Sequence, residues 1–145
     1  MKLQLAKKLK LTVCGAVLTV AGIAGPAAPA GASGSGCTSA PGGIGAQNCI
    51  EIEGWGTTVH GAKSAYSSGF SYLNVCNITA QYKYRPAGAG SYRYKILSST
   101  TCGWWKGWVW WNNPGEMTNN SSFCATQKNS VISSYANMAC LSIFG

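Results

Sequence analysis

Acid–base and metal chemistry have few residues to draw on in this chain. His60 is the sole histidine, Glu51, Glu53 and Glu116 are the sole carboxylates, and aspartate is absent. Glu51 and Glu53 are two residues apart, so on a strand they share one face and stand side by side. The paired acids of a glycosidase must instead flank the scissile bond from opposite walls of a cleft. His60 reads as a polar residue at a strand end. No Gly-x-Ser-x-Gly, His-Glu-x-x-His or phosphate-loop pattern occurs. The expectation is a non-catalytic protein with no catalytic residue, no metal site and no cofactor.

Cysteine is the remaining reactive type. Cys14 lies inside an apolar run, whereas Cys37, Cys49, Cys76, Cys102, Cys124 and Cys140 are spaced by 11, 26, 25, 21 and 15 intervening residues. Zinc sites use short ligand pairs, and none is present here. Cys14 is expected to leave with an export signal, and the even six that remain of the seven point to three disulfides and an oxidising compartment, where thiol nucleophiles do not persist. Spacing leaves the connectivity open. Neighbour pairing is favoured (Cys37 with Cys49, Cys76 with Cys102, Cys124 with Cys140) because each bond then closes a segment that reads as a loop or hairpin.

The compartment is also written at the start of the chain. Lys2, Lys7, Lys8 and Lys10 precede an apolar run from Leu11 to Ala24, which Gly25-Pro26 ends before a small-residue stretch. That run falls short of the roughly 20 residues a spanning helix needs. Residues 1–32 therefore read as a cleaved secretory signal, cut after Ala32 or alternatively after Ala30, and the remainder as secreted, extracellular and without stable membrane insertion. Beyond residue 32 there are seven Lys and Arg against three Glu, a net charge of +4. Leu, Ile, Val and Phe number only 17 there. So thin an aliphatic core would not hold a fold without the Trp, Tyr and disulfides that accompany it.

Residues 33–48, rich in Gly, Ser and Ala, read as a flexible N-terminal tail tied down at Cys37. Residues 49–145 read as one β domain. Ile50 and Ile52 alternate with Glu51 and Glu53, and Thr57 to His60 reads as a second short strand. From Cys76 to Arg85 the alternation is strict, and after the turn at Pro86 to Ser91 it resumes over Tyr92 to Ser98, so the two form a hairpin. The hairpin pattern sets its tyrosines on one face and Lys83, Arg85, Arg93 and Lys95 on the other. That is an anion-attracting face without rings beside it, which argues against nucleic acid. A further hairpin is expected over Gly103 to Trp111, folded at Lys106-Gly107, with short strands over Phe123 to Thr126, Val131 to Tyr135 and Ala139 to Phe144. No helical period of useful length occurs. The fold class expected is all-β, a small disulfide-stapled sandwich or barrel of about seven to eight short antiparallel strands.

Cys102 to Trp111 holds five Trp in ten residues. A strand cannot point all five inward, because its side chains alternate, so some rings face out. Trp104, Trp105, Lys106, Trp108 and Trp110 are the expected binding residues. Exposed Trp serves as an anchor in protein interfaces or as a stacking surface for a polysaccharide. Lys106, at the apex of the expected turn, could enter an acidic pocket such as that of a trypsin-like protein, the mode of a rigid protease inhibitor. Three Asn-x-Ser/Thr matches, at Asn77, Asn119 and Asn120, read as chance.

The run SGCTSAPGGIGAQNC, followed by CIEIEG, CNITAQYKY and the closing ACLSIFG, resembles the small exported six-cysteine proteins of Streptomyces and related actinobacteria. Among these it is similar in layout to the small adaptor subunit of umbrella toxin particles. The resemblance implies a non-catalytic β domain that joins a lectin- or trypsin-like subunit to a repeat-containing toxin, with the tail inserted into that partner. It carries no individual contact residue over.

Overall fold

The computed structural model describes residues 32–145; the expected export signal, up to residue 31, lies outside the described residues. The described residues are all-β, as their alternation predicts. Ten strands follow in order: β1 (Gly34–Ser39), β2 (Gln47–Trp55), β3 (Thr58–Ser67), β4 (Asn74–Val75), β5 (Ile78–Tyr84), β6 (Arg93–Ser99), β7 (Gly103–Trp104), β8 (Lys106–Glu116), β9 (Ser121–Lys128) and β10 (Ala139–Ile143). Eight are long enough to build the sandwich, and β4 and β7 form a two-residue ribbon. One antiparallel sheet has the order β1-β2-β3-β8 and the other β10-β9-β5-β6.

The two sheets share one core, in which Ile50, Ile52, Val59, Ala62 and Tyr66 meet Ile78, Ala80, Tyr82, Phe123 and Ala125. Few aliphatic residues are available, so polar side chains complete the join. The backbone N–H of Ser64 donates to the Tyr82 hydroxyl (3.0 Å), which donates in turn to the Val109 carbonyl (2.7 Å). Burial pushes the Tyr82 hydroxyl pKa well up, against a smaller lowering from the Ser64 bond. Asn48 on β2 donates to the carbonyls of Ala125 (2.9 Å) and Asn137 (3.0 Å) across the sandwich. Trp111 lies beside Tyr84, Tyr82 and Phe123, at ring-centroid distances of 4.8, 5.4 and 5.8 Å.

The disulfides join Cys37 to Cys49, Cys76 to Cys102 and Cys124 to Cys140, the neighbour pairing. Two of them link residues directly opposite in the ladder, Cys37 with Cys49 and Cys124 with Cys140. The third ties the start of β5 to the start of β7, around the hairpin of β5 and β6.

Four local expectations are corrected. Gly34–Ser39, assigned from composition to a flexible tail, is β1, in register with β2 from Gly34 opposite Ile52 to Ser39 opposite Gln47. Its glycines let it approach β10: a Cβ on Gly36 would lie 3.3 Å from the Cys140 carbonyl oxygen. The β domain therefore begins before residue 49. Ala32, the residue before the first expected signal cut, is itself buried in the core; a cut after Ala30 would leave it there. Val131 to Tyr135 is not a strand, because the Asn129 side chain accepts from the N–H groups of Val131 and Ile132 and curls the segment into a turn. In β6 the faces are reversed: Leu97 turns inward opposite Ala80, while Tyr94 and Ile96 are exposed on the outside opposite Lys83 and Gln81. Rings and cations therefore do stand together there.

The last correction concerns the Trp strip, which is not a hairpin folded at Lys106-Gly107. The chain turns one residue earlier, at Trp105, whose φ of 50° is in the left-handed region. The Trp105 N–H donates to the Leu73 carbonyl and its own carbonyl accepts from Ser68, both at 2.8 Å, which holds the bend. After it, β8 runs for 11 residues against β3. The strand pairing won because a long ladder with β3 satisfies more backbone groups than a short hairpin over Gly103 to Trp111 would.

Candidate interaction face

Along β8 the pleat sorts the strip. Gly107, Val109 and Trp111 turn inward, while Lys106, Trp108 and Trp110 turn out onto the exposed face of the β1-β2-β3-β8 sheet. Gly107 is required: a Cβ there would lie 2.6 Å from Ile78 Cδ1 and from Val75 Cγ1. With the inner side of β8 pressed against the core, the outer rings are held on a rigid strand.

The ladder with β3 fixes their neighbours. Lys106 is opposite Ser67, Trp108 opposite Ala65 and Trp110 opposite Lys63. Small residues beside large ones leave room for the rings to lie over the sheet. Trp110 crosses Gly61 so closely that a Cβ on that glycine would sit 2.3 Å from Trp110 Cζ2. Lys63 donates to Glu51 on β2 at 2.7 Å, an ion pair in partial contact with solvent. Such a pair adds little stability, on the order of 1 kcal/mol or less, but it sets a fixed polar border beside Trp110.

Trp108 stands 53% exposed, between two hollows. On one side a groove of about 470 Å³ is floored by Cys49, Ala65 and Ser67 and bounded by Trp105 and Lys106. On the other, a hollow of about 200 Å³ lies between β8 and the Cys102 loop, with Trp110, Ile78 and Ser99 on its wall. Lys106 Nζ lies 4.1 Å from the centre of the Trp105 ring, so its charge is placed at the rim by a cation–π contact instead of projecting from a turn apex.

Of the five expected binding residues, Trp105, Lys106, Trp108 and Trp110 are brought together around these hollows. Trp104 is exposed on β7 opposite Asn74 and lines neither. Sequence reasoning missed the contributions of β2 and β3, chiefly Glu51, Lys63, Ala65 and Gly61. Their alternation was legible in β2 only; in β3 the run of Gly, Ala and Ser hides a strand whose small side chains make the platform.

The chain matches no protein-family model, no characterised protein and no solved structure.

Glu51 is the one acid–base residue on this face, held there by Lys63; Glu53 and His60 lie elsewhere. Glu53 and His60 line a shallow groove at the far end of β2 with Ser33 and Trp55. The Ser33 hydroxyl there both donates to the Gly54 carbonyl (2.9 Å) and accepts from the Gly54 N–H (3.0 Å), which occupies it with the backbone. Among the described residues no cluster of three His, Cys, Asp or Glu forms, and no helix is long and apolar enough to cross a membrane.

Proposed function

We propose that this chain is a non-catalytic interaction module, secreted, whose exposed β2-β3-β8 face binds a protein partner with Trp108 as its central anchor. The observation that carries the reading is the placement of Trp108, half exposed on a rigid strand between two shallow hollows and bordered by polar side chains. Protein interfaces concentrate affinity in such central aromatic residues within a polar rim. Shallow hollows suit side chains of a facing protein better than they suit a small molecule, which is usually enclosed. Three disulfides are compatible with an extracytoplasmic site of action.

The layout shared with umbrella toxin adaptors extends the proposal to a role joining a repeat-containing toxin to a lectin- or trypsin-like subunit in an antibacterial assembly. A second reading is supported by one further observation: Trp108 and Trp110 present two rings on one strand face beside Gln47, Glu51 and Lys63, a combination that also suits a polysaccharide. Pull-down of secreted proteins and sedimentation with insoluble polysaccharide, each with wild type and Trp108→Ala, separates the two. The proposal expects a protein partner whose affinity falls about thirtyfold in Trp108→Ala. Full retention of partners by Trp108→Ala would reject it. Loss of polysaccharide binding alone would establish the second reading.

A further inference from the structure

A second surface lies at the edge of the other sheet. Among the described residues β6 pairs with β5 alone, so every second residue along it turns its N–H and C=O outward with no described strand to receive them. Its two faces differ in kind. Arg93 and Lys95, opposite Tyr84 and Tyr82, project on one; Tyr94 and Ile96, opposite Lys83 and Gln81, project on the other. All four are exposed, Tyr94 by 58% and Ile96 by 56%. Among the described residues the one ion pair is Lys63 with Glu51, so neither Arg93 nor Lys95 is engaged in one.

The surroundings hold this edge in place. The Ser122 N–H donates to the Tyr92 hydroxyl (3.1 Å), and Lys83 Nζ lies 4.8 Å from the centre of the Tyr92 ring. Arg85 Nε donates to the Ala89 carbonyl (2.9 Å) within the turn that leads into β6. Charge at a strand edge often serves only to repel other strands. Here the strand's own cations, Arg93 and Lys95, occupy one face, and the other offers a tyrosine and an isoleucine beside Lys83 of β5.

We propose that the free edge of β6 takes up an acidic, extended segment of a protein partner as a fifth strand of this sheet. The segment's carboxylates would oppose Arg93 and Lys95, and its alternate apolar side chains would cover Tyr94 and Ile96. Backbone hydrogen bonds supply the pairing, and the two-faced edge supplies specificity for a period-two pattern of acidic and apolar residues. An anionic polymer or lipid surface would approach one face and meet only part of the charge, because the cations of the hairpin are divided between both. A strand laid along the edge meets both faces together. This surface belongs to a different sheet from Trp108, and the proposal stands whether or not the Trp face binds protein.

The test uses a synthetic peptide of alternating Glu and Val, followed by amide chemical shifts of the intact disulfide-bonded protein. The expected result is saturable shifts confined to β6 and its neighbours. The affinity should fall about tenfold or more in Arg93→Glu/Lys95→Glu, and N-methylation of alternate peptide amides should abolish binding. Equal binding of the N-methylated peptide would reduce the effect to charge attraction and overturn the proposal, and this arm needs no protein variant. Absence of shifts in β6 at millimolar peptide, combined with self-association of Arg93→Ser/Lys95→Ser, would show that the cations only guard the edge and would overturn it as well.

Discussion

At Gly61 a missing side chain decides where a functional one lies. Trp110 occupies the space that a Cβ would fill, 2.3 Å from Cζ2, so Gly61→Ala must swing the ring off the sheet. We expect Gly61→Ala to shift the Trp fluorescence and weaken partner binding as Trp110→Ala does, with Trp108 unchanged; coincident loss in the two variants is the check. Tyr82 shows the converse, a polar atom that the core cannot release. Tyr82→Phe leaves the Ser64 N–H and Val109 carbonyl without their hydroxyl partner and should cost about 1–3 kcal/mol in urea unfolding. Burial raises the Tyr82 pKa in the folded state, so its contribution is fully present below the ordinary value of 10.0 and is lost as pH climbs through the raised one. Stability should therefore decline above about pH 10, and the decline should be shallower in Tyr82→Phe.

Among the elements, the passage from β7 to β8 carries the most local strain. A bulky residue at φ 50° is disfavoured, and Trp105 is kept there by hydrogen bonds to Leu73 and Ser68. Replacement by Gly removes the conformational penalty, whereas replacement by Ala retains it, and both remove the ring. Trp105→Gly should be more stable than Trp105→Ala by about 1 kcal/mol in chemical denaturation, with both losing any affinity that the ring supplies. A reversed order would mean that the bend relaxes once the indole is gone. Much of the strand pattern was legible in advance at this scale: β2 and the β5 to β6 hairpin follow from alternation and the Pro86 to Ser91 turn. β3 was seen only at its start, since Ala62, Ser64 and Ala65 carry little hydrophobic contrast. β6 was placed but turned over, because Tyr94 and Ile96 look like core residues to any pattern that counts only polarity. Edge position explains it: β6 has one neighbour, and its outer face is covered by nothing among the described residues.

For the molecule as a whole, the disulfides take over part of what a larger aliphatic core would do. Cys76 and Cys102 close a 26-residue separation around the β5 to β6 hairpin, and their joint replacement by Ser should cost roughly 3 kcal/mol, read as a lowered denaturation midpoint. Alkylation of the unreduced protein should label none of the six paired cysteines. Stoichiometric labelling would remove the premise that the sheets are covalently stapled.

Composition and spacing alone determined the class: few acids, one histidine, six cysteines beyond the expected export signal and period-two alternation lead to a disulfide-bonded all-β domain, because each is a local or additive property of the chain. Which rings of the Trp strip form a surface was decided only by tertiary structure. Trp111 is drawn inward by Tyr84 and Phe123, and Trp108 and Trp110 are displayed by small residues on β3, a strand more than forty residues earlier in the chain. The turn at Trp105 and the exposed edge at β6 likewise depend on partners distant in sequence. Pairing between distant strands is a choice among many ladders of similar local quality, and the packing of the two sheets against one core selects among them.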